Sequence, residues 1–377
     1  MFEIKHEDGL ARSGILSTPH GKVEMPNFKP VATKAAVKYI STQELEEMGT
    51  SSIISNAFIL YLRPGLEIIR NHGGLHRFMN WNKTIFTDNG GFQVFSLEKD
   101  YHMDITSKGL IFRSPFDGSK HVITPEKTIE IAHTLGSDVA MALDHMPLAG
   151  CSRQEAIKSL KHTHAWADEC KKLHDNLYKN ENNKQLLFGI AQGSVFKDLR
   201  EKSVKFIDKL NFDGIAFGGL AIGEPWDKTK EMIKLSSLNC SKAKPRYVMG
   251  LGSPAEILEA IALGVDTFDS VYPTRNARHG QLFTLDGHIN IENSCFRDDL
   301  SPIDANCKCD VCKRYSRAYI HHLFRTRERL GMRLASYHNL YFMQNLMKEV
   351  RKAIKDNEFN EFKENFLNRY YNNAIKK

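Results

Sequence analysis

The sequence predicts an α/β protein built as a (β/α)8 TIM barrel. Three observations predict it. The middle of the chain repeats one pattern: a short apolar run, a polar or glycine tip, then a helical segment. Eight such runs can be counted, at residues 28–31, 52–54, 84–87, 139–143, 186–190, 214–217, 246–249 and 266–268. Each is apolar on both faces, as strands of a parallel sheet covered by helices must be. Alternating strand and helix selects a parallel sheet, and eight repeats favour closure over an open doubly wound sheet. No GxGxxG follows an early strand, which weakens the dinucleotide-binding form of that alternative.

The intervening segments start and stop like helices. Ser41-Thr42-Gln43-Glu44 reads as a capping box, with Gly49 where a C-terminal cap belongs. Ser152-Arg153-Gln154-Glu155 reads as a second, opening a long helix through Lys172. Ser253-Pro254-Ala255-Glu256 reads as a third, with proline at the first helical position and Gly264 closing the helix. Two regions depart from the repeat. Residues 94–124 contain Leu110-Ile111-Phe112-Arg113 and a run from Gly118 to Ile123, expected as a hairpin over the barrel mouth. Residues 276–340 follow the eighth strand and hold a cysteine cluster. The charged amphipathic tail from Tyr341 is expected to supply the last helix.

Composition narrows the class. The chain has 377 residues, 41% of them hydrophobic, enough for one large α/β body with an addition. No apolar stretch reaches a membrane span, and Met1-Phe2-Glu3-Ile4-Lys5-His6 lacks the layout of a signal peptide. Seven cysteines, three of them clustered, argue against a disulfide framework and for a reducing cytoplasm. The net charge of +7 permits nucleic-acid binding without demanding it.

In a parallel barrel, chemistry collects where strands end. Those tips carry Asp88, Asp144, Gln192, Gly218-Gly219, Gly250 and Asp269. An aspartate after a strand also caps turns and helices. Three at equivalent positions favour a shared site. Gln192 can donate and accept together, and the glycines bare their backbone. Carboxylate, amide and bare backbone suit the edge of a purine better than a sugar or phosphate.

Cys307-Lys308-Cys309-Asp310-Val311-Cys312 has the spacing of a zinc site. A closed tetrahedral site needs a fourth ligand, and Cys295, His321, His322 and His338 are all open to that role. Residues 275–333 hold 11 Lys/Arg against 7 Asp/Glu, with tyrosines between the cations. Such a face can hold a phosphate backbone and stack exposed bases.

Several strings together resemble a known family: Thr87-Asp88-Asn89-Gly90-Gly91-Phe92-Gln93-Val94, Phe188-Gly189-Ile190-Ala191-Gln192-Gly193, Gly218-Gly219-Leu220-Ala221, Phe268-Asp269-Ser270-Val271-Tyr272-Pro273-Thr274-Arg275 and the cysteine cluster. In this order, over about residues 10–345, they are similar to bacterial-type tRNA-guanine transglycosylases. The resemblance implies a catalytic barrel of residues 1–274 and 341–377 and a zinc-binding subdomain, 275–340, that contacts tRNA. It implies exchange of the wobble guanine of tRNA for 7-aminomethyl-7-deazaguanine in queuosine biosynthesis, by a cytoplasmic homodimer. Asp269 then matches the nucleophile and Asp88 the general acid/base. Asp144, Gln192 and Gly219 match the groups reading the base edge, with Leu220, Phe92 and Met249 around it. Arg275 and Arg278 match the grip on the anticodon loop, and His338 the fourth ligand of one structural zinc.

The chain also departs from the family. His145-Met146 follows Asp144 where members commonly carry Glu-Cys, Ser270 replaces a common cysteine, and Phe92 a common tyrosine. Ala221-Ile222 resembles the form that selects the aminomethyl base; direct use of queuine is the alternative. A glycoside hydrolase would also use paired carboxylates on a barrel, but leaves the cysteines and basic face unexplained. A non-catalytic tRNA-binding subunit has no chemical need of both Asp88 and Asp269.

Overall fold

A computed structural model describes residues 2–89, 104–180 and 184–374. Phe92, with the Gly90-Gly91 turn before it, lies outside these residues. The chain opens with an antiparallel sheet that sequence patterning did not reveal: β1 (Phe2–Asp8), β2 (Ala11–Thr18) and β3 (Gly21–Met25). The barrel strands are β4 (Asn27–Pro30), β5 (Ser52–Asn56) and β6 (Thr84–Asp88). Three strands outside the barrel follow: β7 (Asp104–Thr106), β8 (Gly109–Arg113) and β9 (Lys120–Ile123). The barrel resumes with β10 (Val139–Met141), β11 (Leu186–Ala191), β12 (Gly214–Phe217), β13 (Arg246–Val248) and β14 (Thr267–Ser270).

All eight predicted barrel strands are present, parallel and in sequence order, and β14 pairs back onto β4. The last seam closes between β4 and β5. There Val31 bridges Ile54, and the Ala32 N–H donates to the Ile54 carbonyl at 2.7 Å. Strand residues pack in an outer cluster beneath the helices and an interior cluster inside the barrel, which is why both faces read as apolar.

Alternate strands fill a barrel in layers. Here β4, β6, β11 and β13 contribute Lys29, Phe86, Phe188 and Tyr247. The Phe86 ring lies 5.8 Å from that of Phe188 and 6.5 Å from that of Tyr247, both edge-on. Gly214 has no side chain for a steric reason: a Cβ there would meet the Phe188 ring at 2.3 Å. Leu16, Val23 and Met25 from the opening sheet join this interior cluster and fill the N-terminal end of the barrel. Buried Arg12 fastens the sheet there, pairing with Asp266 at 2.7 Å and donating to the Lys244 carbonyl at 2.7 Å.

The capping boxes at Ser41 and Ser152 form as expected, and the second opens a helix running Arg153–Leu177, beyond Lys172. The third does not form. Ser253 stands at the N-cap of helix Pro254–Ala262 but makes no side-chain bond to it. Glu256 instead sits part-buried, and burial, then the charges of Glu259 and Glu224, raise its pKa. The expected hairpin exists as β8 and β9, with β7 as a third strand. It packs on the barrel's flank: Phe112 meets the Phe58 ring at 4.5 Å, and Trp166 donates to the Ser107 carbonyl.

Beyond β14 lie helix Tyr272–Arg278 and the hairpin β15 (Gln281–Thr284) and β16 (Gly287–Asn290). Helix Arg329–Lys355 then runs unbroken across position 341, and helix Phe359–Ala374 follows it. A second core gathers Leu282, Ile289, Ile303, Val311 and Ile320 against Leu334 and Ala335, from the first turns of the long helix. Later turns of that helix, including Met343 and Leu346, pack with the main core. One helix thus ties the two cores together.

Candidate active site and metal centre

Asp269, the last residue but one of β14, is half-buried. Tyr247, one strand over on β13, donates from Oη to Asp269 Oδ1, and the Gly250 N–H donates to the same oxygen at 3.1 Å. Both donors fix the same oxygen, Oδ1. The Tyr247 phenol is held well above its ordinary pKa by burial, then by the negative charges of Asp269 and Asp88, so it stays a donor. Asp88 ends β6 and accepts from Asn56 Nδ2 at 3.3 Å. Two carboxylates therefore act on one phenol from different strand tips.

A second group forms beside them. Buried Asp144 accepts from Asn89 Nδ2 at 2.8 Å and from Gln192 Nε2 at 2.6 Å. Burial pushes its carboxyl above the ordinary range, and these two amides hold it partly back. Gln192 Oε1 is buried with no hydrogen-bond partner among the described residues. Gly218 and Gly219 wrap around this amide. A Cβ on either would come within 2.5 Å of it, and Gly219 has φ +65°. Leu220 is buried behind them and half-buried Met249 packs on the interior cluster. The loop beyond is held by Glu224, which accepts from the Ala221 and Ile222 N–H groups at 2.6 and 3.1 Å.

Met146 borders the same wall, its Cγ 3.7 Å from where a Gly219 Cβ would stand. His145 turns away from it. Its Nδ1 is 3.2 Å from that of His162, and burial, aided by His162 and Lys158, pulls its pKa down to about 4. The imidazole at this position is neutral at physiological pH.

Sequence reasoning missed two buried cations and the tyrosine. Lys29 lies inside the barrel below Asp269. Arg200, fully buried, donates to the carbonyls of Ala191 (2.8 Å), Gly218 (2.9 Å) and Ser194 (2.9 Å). It ties the tips of β11 and β12 together behind Gln192. Burial pulls its pKa down to about 9 against the opposing charge of Glu224. Arg200→Met should take a donor from three carbonyls, of which that of Ala191 keeps the Gly218 N–H at 3.0 Å, and cost about 3 kcal/mol. Urea unfolding would read this, and an unchanged midpoint would refute the role. Arg275 is exposed on helix Tyr272–Arg278, whereas Arg278 is half-buried and donates to the Thr274 carbonyl at 2.9 Å.

The cysteines meet a histidine. His338 Nδ1 lies 3.7, 3.6 and 3.4 Å from the sulfurs of Cys307, Cys309 and Cys312. Its Nε2 donates to the Phe283 carbonyl at 2.7 Å, which leaves the Nδ1 lone pair facing the sulfurs. A tetrahedral ion with ordinary zinc–sulfur and zinc–nitrogen bonds requires sulfur–nitrogen separations of about 3.6 Å. The four residues therefore fit one metal ion. The other sequence candidates stand elsewhere: Cys295 is exposed, and His321 Nδ1 is engaged by the Ile291 carbonyl.

Carboxylates converging at the C-terminal mouth of a (β/α)8 barrel, with a closed metal cluster on the segment after its last strand, define a barrel enzyme with a metal-tied appendage. A family model described as queuine tRNA-ribosyltransferase matches residues 7–372, and the chain belongs to that family. It is 46% identical to the queuine tRNA-ribosyltransferase of Fusobacterium nucleatum over 98% of both chains. It is 47% identical to that of Thermosipho africanus, over 98% of this chain and 99% of the relative. Against that of Francisella tularensis subsp. novicida the identity is 44%, over 98% of each.

Proposed function

We propose that the protein exchanges the wobble guanine of tRNA for 7-aminomethyl-7-deazaguanine through a covalent enzyme–RNA intermediate. The observation that carries this reading is the anchored Asp269, beside a pocket that matches a purine edge. Asp144 offers an acceptor carboxylate to the N1–H and N2–H donors of guanine. Gly219 and Leu220 offer backbone N–H groups, and Met249 an apolar face. Phe92, outside the described residues, is assigned to the base by the family resemblance alone.

Attack by an Asp269 oxygen on ribose C1′ forms a C–O bond as the bond from C1′ to purine N9 breaks. The electron pair leaves with the purine, which takes a proton from Asp88. The incoming base then gives a proton to Asp88 and displaces Asp269. One difficult displacement becomes two easier ones, as in a retaining glycosidase. Arg275 and Arg278 hold the anticodon loop, with the basic face of residues 275–340 beneath the RNA backbone.

Zinc held by Cys307, Cys309, Cys312 and His338 would supply a structural cross-link, with all four positions taken by protein. The reading also takes the protein to be a cytoplasmic homodimer. Among the described residues, no helix is long and apolar enough to cross a membrane.

The test is an exchange assay on tRNA with an unmodified wobble guanine, using labelled guanine and then the aminomethyl base and queuine in parallel. Incorporation of guanine and of the aminomethyl base is expected. No incorporation of any base would overturn the reading, and uptake of queuine alone would assign a salvage enzyme.

A further inference from the structure

Lys29 has no part in the chemistry above, yet it lies inside the barrel next to the nucleophile's strand. β4 and β14 pair in parallel with Lys29 opposite Asp269. Its Nζ donates to Thr267 Oγ1 at 2.6 Å and stands 3.8 Å from the Tyr247 ring centroid and 4.6 Å from that of Phe86. Tyr247 in turn donates to Asp269. One aromatic ring thus separates a buried amine from the proposed nucleophile. An ammonium over two ring faces gains cation–π attraction, but full burial with one hydrogen bond is still costly. An apolar side chain would complete this layer with no such penalty.

We propose that Lys29 is a positioning residue for the transfer: its ammonium balances the Asp269 carboxylate before attack and releases its proton once that charge has been consumed in the ester. The inference rests on the covalent reading given above. The bond changes are those already described; the additional event is loss of one proton from Lys29 to water.

The charged surroundings support this assignment. Asp269 on β14 is the acid that faces Lys29, Tyr247 lies between them on β13, and Asp88 reaches Tyr247 from the end of β6. β5 offers neutral Asn56 at its end. Asp266, just before β14, is engaged by Arg12. The long C-terminal helix presents Arg351 to the Pro26 carbonyl, and Arg351 pairs with Glu24 at 3.2 Å. Burial pulls the Lys29 amine down to about 7 while the Asp269 charge pushes it up. Esterification removes that upward push, so the amine falls further in the adduct.

The sign follows. The adduct binds fewer protons than the free enzyme, so adduct formation rises with pH below about 7 and levels off above it, by at most about tenfold per pH unit. The experiment follows the adduct on denaturing gels between about pH 5.5 and about pH 8.5, using an anticodon hairpin with a wobble guanine. Wild-type, Lys29→Met and Lys29→Arg proteins are compared. Titration of Asp88 is common to all three, so the ratios of the profiles are read.

A severalfold rise to neutrality is expected in the wild type. Lys29→Met should lose it, and Lys29→Arg should stay low throughout. The wild-type rise persisting in Lys29→Met would overturn the proposal while leaving the covalent reading intact. No adduct in wild type at any pH would overturn both. The wild type labelled with 13C-lysine gives a readout independent of variant folding. One lysine titrating near neutrality, and lower once the adduct is trapped, is expected; all lysines titrating in their ordinary range would overturn the proposal.

Discussion

Asp269→Asn is expected to eliminate the covalent RNA adduct on denaturing gels and to lower base exchange by about four orders of magnitude or more. The substitution keeps size and shape. The asparagine Oδ1 can still accept from Tyr247 and from the Gly250 N–H, 3.1 Å from the native oxygen. The melting temperature should therefore move by no more than about 3 °C, and guanine affinity, assigned above to Asp144 and its amides, should hold. What is lost is an oxygen able to form the ester. An undiminished adduct would assign the nucleophile elsewhere, with Asp88 the first alternative.

The second large effect is at the metal centre. His338→Ala should reduce the bound metal, proposed above to be zinc, to a small fraction of its wild-type content. It removes one ligand, and it removes the bond to the Phe283 carbonyl that anchors the long helix to β15. His338 is fully buried, so alanine leaves a cavity in place of the imidazole. Structural zinc contributes on the order of 10 kcal/mol to the folding of small zinc domains, and a substantial part of that should be lost here. Metal analysis and limited proteolysis would measure it, with cleavage expected in the metal-tied segment between Arg297 and Arg317. Unchanged zinc would assign the fourth ligand to another residue. The barrel, with a separate main core, should resist proteolysis at the same protease concentration.

The barrel was legible in the sequence because its strands bury both faces, which leaves unbroken apolar runs such as Leu186–Ala191. The tips were legible because polar residues interrupt those runs at matching positions. The opening sheet was not, because β1 buries none of its residues fully and its strands lack the strand–helix rhythm that defined the rest. Lys29, Arg200 and Tyr247 escaped for a different reason. A cation next to a proline or in a helix looks like any surface charge until the fold turns it inward. Cysteine spacing announced a metal but left four candidates for the last ligand, since His338 is brought in by a helix far along the chain. That same helix runs across the boundary expected at position 341, where hydrophobic patterning marks no break.

The filled end of the barrel, packed with Leu16, Val23 and Met25 and fastened through Arg12, has a kinetic corollary. A pocket open at one face gives a departing purine and its replacement a single shared route. On the covalent reading, the outgoing base would have to clear the opening before the new one takes its seat, so exchange would proceed by alternation, with the RNA ester waiting between the two visits. Initial-rate lines at different fixed concentrations of tRNA would then run parallel in a double-reciprocal plot.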